Sequence, residues 1–529
     1  MRYHLLLFAS CLTLTSLHGR IEAQEGRLND PRAAVVGKDK SGLLAHDLFG
    51  REINSHGLIL VDWEGYIANP AIKFYLTPPE DAVFPAKAVL TAKEPRLHFD
   101  LPSTVGAKGP RKEIVWQKRE KVPVHVSIFP DRDGDDEDHE LKIEFSDAGG
   151  QNQRLDLPVR VIDQDRKRDE EFSITVDFGQ DKTEFFADEA ARAIVLQAAK
   201  DWSYFFADMK LQSVPAKSEK TLIWGSDGFK TRSQVLNGKE YTGYLLYAYG
   251  IRNQLQNTDQ SNTPFGKSMN RDPAARNIRS GGEPSPYGGF QVSAGKKTQL
   301  RRSGGLEVEV QGNYNTLGWQ IKLDDSEWWR ATNLVNVKND LYSIVHHEIG
   351  HALIFNPNNS LVKRGAAPDS DRFRAYLDGK AALNQSDHLD GVIDPESLHG
   401  AFGNEYHGKM PRCRWLITKL DLLFAEAIGY ELRQTSSFTT LSLATDRLPR
   451  GKAGVPYSLK LKASGGIPFY CWEVIGKLPT GLALNSFTGE ISGTPTQAGA
   501  TEITVRVRDY SEKSKGVTKQ LSLAIEPGK

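Results

Sequence analysis

Residues 347–351 read His347-Glu348-Ile349-Gly350-His351, and the fold and chemistry of the middle of the chain turn on how this stretch is built. In an α-helix, positions i and i+4 lie on one face, so both imidazoles can reach a single Zn²⁺. Glu348 then projects beside them, placed to take a proton from a water whose pKa the metal lowers to about 7. The flanks favour a helix. Asn339 or Asp340 can cap it, while Leu341, Ile344, Val345, Ile349 and Ala352 supply an apolar stripe away from the two ligands, and Asn356-Pro357 ends the run. His346 lies about 100° round the helix from His347 and reads as support or packing.

Downstream stand Asp387-His388-Leu389-Asp390-Gly391, Phe402-Gly403-Asn404-Glu405, Met410, a helical run over 415–427 and Gly429-Tyr430. This order resembles the leishmanolysin-like metzincins, a group of zinc metalloproteases. The stretch 173–178 with the helix after it, and 341–353, resemble the opening strand and active-site helix of the same clan. The resemblance spans 172–430 and implies an α+β zincin-like catalytic domain with His347, His351 and a later third His on the metal. Ile354 and Pro357 stand where short-spaced metzincins carry Gly and their third His, so the third ligand must lie further on. His388 is the candidate, with His399, His407, Asp387, Asp390, Glu396 and Glu426 as rivals for a site of three protein ligands and one open position. The resemblance also makes 306–311, an alternating stretch suited to a sheet edge, the strand that would pair with an extended peptide.

Upstream, short apolar runs at 58–63, 72–76, 122–129 and 157–162 are broken by Pro and Gly, the pattern of a β-sandwich. Within it Asp131, Asp133, Asp135, Asp136 and Asp138 crowd around Gly134. Such hard oxygens can hold Ca²⁺, with Asp131, Asp133 and Asp135 as ligands, although Lys142 breaks the EF-hand pattern; a solvated acidic turn is the other reading. The charged stretch 163–171 suits a linker, and 254–305, rich in Gly, Ser, Asn and Arg, suits a functional loop.

The last ninety or so residues form a second set of strands punctuated by Gly and Pro. Ser464-Gly465-Gly466, Cys471-Trp472, Leu478-Pro479-Thr480-Gly481-Leu482 and the run from Thr488 to Pro495 resemble Ig domains of cadherin-like type. That resemblance covers 441–525 and implies an accessory adhesion or spacer module, with contacts to a cell surface or matrix.

The start of the chain reads as a signal peptide, with Arg2 before an apolar stretch over 5–17 and small residues at Gly19 and Ala23 for cleavage. The organisation expected is therefore a signal peptide at 1–23, a β-rich domain at 24–165, a zinc peptidase domain at 166–435 and an Ig-like domain at 438–529. Export to the cell envelope or beyond follows from the leader. Lys plus Arg equals Asp plus Glu at 67 each, which with the missing phosphate-cradling loop leaves nucleic acid without support as a partner. Only Cys413 and Cys471 follow the leader, too few for a disulfide framework. No later apolar run approaches the ~20 residues of a membrane span.

The function expected is a secreted zinc endopeptidase acting on protein or peptide. Two other classes stay open: an extracellular binding protein with an inactive zincin core, against which the intact Glu348 argues, and a zinc hydrolase of a non-peptide substrate.

Overall fold

The structure is a computed structural model, and it describes residues 42–63, 67–99, 111–131, 133–165, 173–182, 185–207, 213–218, 220–224, 232–251, 278–279, 306–311, 342, 345, 349–350, 354, 372–373, 376, 416–427, 430–433, 435–511 and 514–528. Within these the molecule is mostly β, in three groups of sheets that run in chain order.

The first group has nine strands: β1 (Leu44–Asp47), β2 (Leu58–Asp62), β3 (Ile72–Thr77), β4 (Ala86–Ala92), β5 (Leu97–Phe99), β6 (Arg111–Trp116), β7 (Val122–Ile128), β8 (Glu137–Asp147) and β9 (Asn152–Asp163). They form sheets ordered β1-β3-β7-β5 and β2-β9-β8-β4-β6. Alternation does the folding here. Ile72, Phe74 and Leu76 of β3 and Ala86, Ala88 and Leu90 of β4 are buried while the residues between them are not, so each sheet turns one apolar face inward. In this group only β2 and β9 run parallel, and their register sets Asp62 opposite Asp163. Asp163 is thus the last residue of a strand, not the first of a linker. Gly57, at φ 72°, lets β2 begin hard against β9, since a Cβ there would stand 2.3 Å from the Pro158 carbonyl oxygen.

The second group holds β10 (Ile174–Asp177), β11 (Lys220–Trp224), β12 (Arg232–Leu236), β13 (Tyr244–Ile251), β14 (Ile278–Arg279) and β15 (Leu306–Gln311). Its main sheet is ordered β10-β13-β15-β14, with β10, β13 and β15 parallel and β14 antiparallel to β15. A parallel strand buried on both faces reads as a continuous apolar run, and β13 is Tyr-Leu-Leu-Tyr-Ala-Tyr-Gly-Ile. Tyr244, Leu246 and Ala248 join the main core, while Leu245, Tyr247 and Tyr249 join a separate cluster with Val214 and Tyr241. The edge expected at 306–311 is corrected by this order: Glu307 and Val308 are paired on their outer side with Arg279 and Ile278, so among the described residues the outermost strand is β14. That strand also lies inside the stretch read as a loop at 254–305.

A helix over Glu189–Phe205, capped by the Asp188 carboxylate on the Ala190 N–H, packs on β10 and buries Ile194, Ala198 and Trp202 in the main core. A second helix, Lys419–Ala427, opens with a reciprocal cap: Asp421 N–H donates to the Thr418 hydroxyl at 3.2 Å and Thr418 N–H to the Asp421 carboxylate at 2.8 Å. The segment just after each helix ties the two together, because Ala207 N–H donates to the Glu431 carbonyl and Arg433 N–H to that of Phe205.

The third group comprises β16 (Ser442–Leu443), β17 (Gly451–Lys452), β18 (Tyr457–Lys460), β19 (Ala463–Ser464), β20 (Cys471–Ile475), β21 (Leu482–Leu484), β22 (Glu490–Gly493), β23 (Gly499–Arg508) and β24 (Val517–Glu526). Sheets β17-β24-β23-β20 and β18-β22-β21 enclose Trp472, Ile491, Val505 and Leu523. Cys471 is a buried free thiol. No helix among the described residues is long and apolar enough to cross a membrane.

Candidate functional site

His347, Glu348, His351 and His388 lie outside the described residues, as do the rivals His399, His407, Asp387, Asp390 and Glu396. The frame around the motif is described. Tyr342, Val345, Ile349 and Gly350 are helical, and the Ile354 N–H donates to the Gly350 carbonyl at 2.8 Å, the i to i−4 bond of an α-turn. Tyr342, Val345 and Ile349 are fully buried at the i, i+3, i+7 spacing of one helix face. Tyr342 reaches the 189–205 helix, donating to the Asp201 carboxylate at 2.6 Å. Of the rival ligands only Glu426 is described, and Arg372 holds it at 3.0 Å. Tyr430 of the Gly-Tyr pair is buried against Phe206, and burial with the Tyr244 phenol beside it pushes its own phenol well above the usual range.

A second charged centre lies at one end of the first sandwich. Carboxylate oxygens of Asp62, Asp131 and Asp163 fall within 4.8 Å of one another, and so do those of Asp131, Asp133 and Glu137. Asp62 and Asp163 end β2 and β9, and the turn after β7 brings Asp131 between them. Asp135, expected beside Asp131 and Asp133, is exposed and in neither group; its N–H donates to Asp133. Into the cluster reaches Arg96, 1% exposed, which pairs with Asp131 and Glu137 and lies 3.9 Å from Asp62. Asn69 holds Asp62 from the other side at 3.0 Å.

Burial, then the neighbouring Asp165 and Asp131, pushes Asp62 well above the usual carboxylate range. Burial pushes Asp131 up to about 6 against the pull of Arg96, and Asp163 up to about 7 against the Asp165 N–H bond. Burial would lower Arg96, but Asp131, Glu137, Glu94 and Asp62 outweigh it and raise it. His98, stacked on Phe129, is lowered by burial to about 4 and stays neutral near pH 7. The members missed in the sequence had a signal: Leu58–Asp62 and the end of Asn152–Asp163 are apolar strands that each finish on Asp.

Residues 437–524 match the family model described as "Putative Ig domain", which agrees with the third group of sheets. Comparison with curated proteins returns no match. Among solved structures the chain is similar to a putative alpha-galactosidase from Bacteroides fragilis, at 28% identity over 17% of this chain and 18% of that one, with a TM-score of 0.15. It is also similar to the ASH/PapD-like domain 7 of human CEP192, at 7% identity over 25% of this chain and 93% of that one, TM-score 0.17. The periplasmic chaperone SfaE is a third, at 9% identity over 38% and 85%, TM-score 0.15. The chain spans under a fifth of the galactosidase's length. At these TM-scores the fold rests on the strand registers above, not on the likenesses.

Proposed function

We propose that this chain is an exported zinc-dependent endopeptidase, with His347, His351 and His388 on the metal and Glu348 as general base. The observation that carries the reading is the HExxH spacing at 347–351 in a stretch where Tyr342 and Val345, before the motif, and Ile349, within it, are helical and buried. The donor chemistry fits zinc: two imidazoles one helical turn apart with a carboxylate between them. Zinc, when bound there, supplies Lewis acidity to a water and to a scissile carbonyl. Glu348 accepts the proton of the attacking water and returns it to the leaving amine, so no covalent intermediate is needed. Ile278–Arg279, the antiparallel outer strand, replaces 306–311 as the place where an extended peptide would pair.

The test is zinc content together with casein hydrolysis for the parent, Glu348→Ala and His388→Ala. About one zinc per chain, retained without hydrolysis in Glu348→Ala and lost in His388→Ala, is the expected result. Metal without hydrolysis in the parent favours a binding protein or a non-peptide substrate, and no metal removes the reading. Ca²⁺ on Asp131, Asp133 and neighbouring carboxylates belongs to the same proposal, and calcium content before and after EGTA checks it.

A further inference from the structure

The Ig-like domain does not hang free. Arg51, in the turn after β1 of the first sandwich, extends more than 400 residues along the chain to meet it. Asp47, buried, aims the guanidinium by accepting from Arg51 Nε at 2.6 Å and from the Arg51 and Phe49 backbone N–H groups. Nη1 donates to two Ig-domain carbonyls, those of Tyr470 and Ser486. Nη2 is buried without a hydrogen-bond partner among the described residues. The rings supply what that nitrogen lacks: the guanidinium carbon lies 4.0 Å from the Phe487 centroid and 5.1 Å from that of Phe469. Phe469 holds φ at 105°, a conformation costly for a bulky residue, which persists only where its surroundings over-determine it. Two carbonyls and two rings around one guanidinium form a receptor for a planar, weakly hydrated cation with forked donors, which an ammonium on a flexible stem does not match.

We infer that the Ig-like domain carries a guanidinium-binding pocket, built from Phe469, Phe487 and the Tyr470 and Ser486 carbonyls, which Arg51 fills in cis to latch the two terminal domains together. Its ligand class is the arginine side chain. The latch is reinforced alongside, where the Leu48 N–H donates to the Tyr510 hydroxyl at 3.2 Å and Arg508 lies 4.5 Å over Phe49. This part of the Ig-like domain's surface is covered by the protein's own chain. The inference is independent of the zinc reading.

Hydrogen exchange on the full chain tests it, with Arg51→Ala, Arg51→Lys and Phe487→Ala beside the parent. Amides at 47–51 and 467–472 are expected to exchange at least about tenfold faster in all three variants, while β23 and β24 keep their protection. Methylguanidinium restores protection in Arg51→Ala, and methylammonium does not. Unchanged exchange in Arg51→Ala, full protection in Arg51→Lys, or equal rescue by methylammonium overturns the pocket. If Arg51→Ala loses protection throughout, Phe487→Ala decides: a loss confined to 47–51 and 467–472 supports the pocket. No change there, or a loss that also covers β23 and β24, counts against it.

Discussion

The Tyr342 hydroxyl donates to one oxygen of Asp201 at 2.6 Å, the Gln197 amide donates to the other at 2.7 Å, and both Tyr342 and Asp201 are fully buried. A carboxylate taken out of water needs such donors, and removing one leaves part of its desolvation cost uncompensated. The bond also joins the 189–205 helix to the helical stretch five residues before His347. Tyr342→Phe keeps the ring and deletes only the donor. It is expected to cost about 1–3 kcal/mol, seen as a lower denaturant midpoint with little change in slope. An unchanged midpoint would show that the Asp201 carboxylate is satisfied without Tyr342.

The acidic cluster gives stability a direction with pH. Asp131 at about 6 and Asp163 at about 7 sit above their unfolded values, so between roughly pH 4 and 7 the folded chain binds more protons than the unfolded one. Stability from these groups is therefore present at low pH and lost as pH rises through the folded pKa values. His98, lowered to about 4, works the other way, because the unfolded imidazole takes a proton below about 6.5 that the folded one refuses. Burial lowers His46 and His56 too, and above about pH 6.5 this histidine slope fades as the unfolded imidazoles lose their protons, while Asp163 keeps the carboxylate slope through about pH 7. Denaturant unfolding in EGTA should show the first sandwich losing stability from pH 6.5 to 7.5, by at most about 1.4 kcal/mol per pH unit for each proton. Asp163→Asn should flatten that slope, and a stability that rises across this window would contradict the assignment.

The apolar run at 58–63 was legible as a strand because it is a short, nearly unbroken apolar run, buried almost throughout, and those at 72–76 and 122–129 because a period of two survives in their sequence. The 189–205 helix was legible for the same reason at a period of 3.6, with Asp188 marking its start. Pairing was not legible. Nothing local in Leu306–Gln311 reports that Ile278–Arg279, across a Gly- and Ser-rich stretch, returns to cover its outer side. Nor does the acidic run at 131–138 show that its partners are Asp62 and Arg96, which the register of β2 on β9 and the closure of the sandwich bring together. The Arg51 contact is harder still, since it depends on how two whole domains dock.

Gly489, at φ 72°, lies under the Trp472 ring, where a Cβ would stand 2.7 Å from Cε2. Backbone conformation and space both demand glycine, and Trp472 is central to the Ig-like core. Gly489→Ala is expected to destabilise this domain by about 1–3 kcal/mol. Near-ultraviolet circular dichroism and thermal unfolding would register it, and a variant with the parent's transition would mean that the indole can shift at no cost.

Gly243 stands where β13 begins beside β10. A Cβ there would lie 1.7 Å from the Ser173 carbonyl oxygen, which accepts the Tyr244 N–H at 2.9 Å and starts the parallel register from Ile174 on Tyr244. No side-chain rotamer relieves a clash between Cβ and backbone, so the two strands must part or slip, and a one-residue slip exchanges the faces of β13. Tyr244 and Leu246 would then turn toward the cluster of Tyr247 and Tyr249, and both faces of the sheet would lose their packing. Gly243→Ala is therefore expected to cost about 3 kcal/mol or more and to abolish any hydrolysis, while the Ig-like domain keeps its own transition. Retention of activity with an unshifted unfolding midpoint would show that β10 and β13 do not meet at this register.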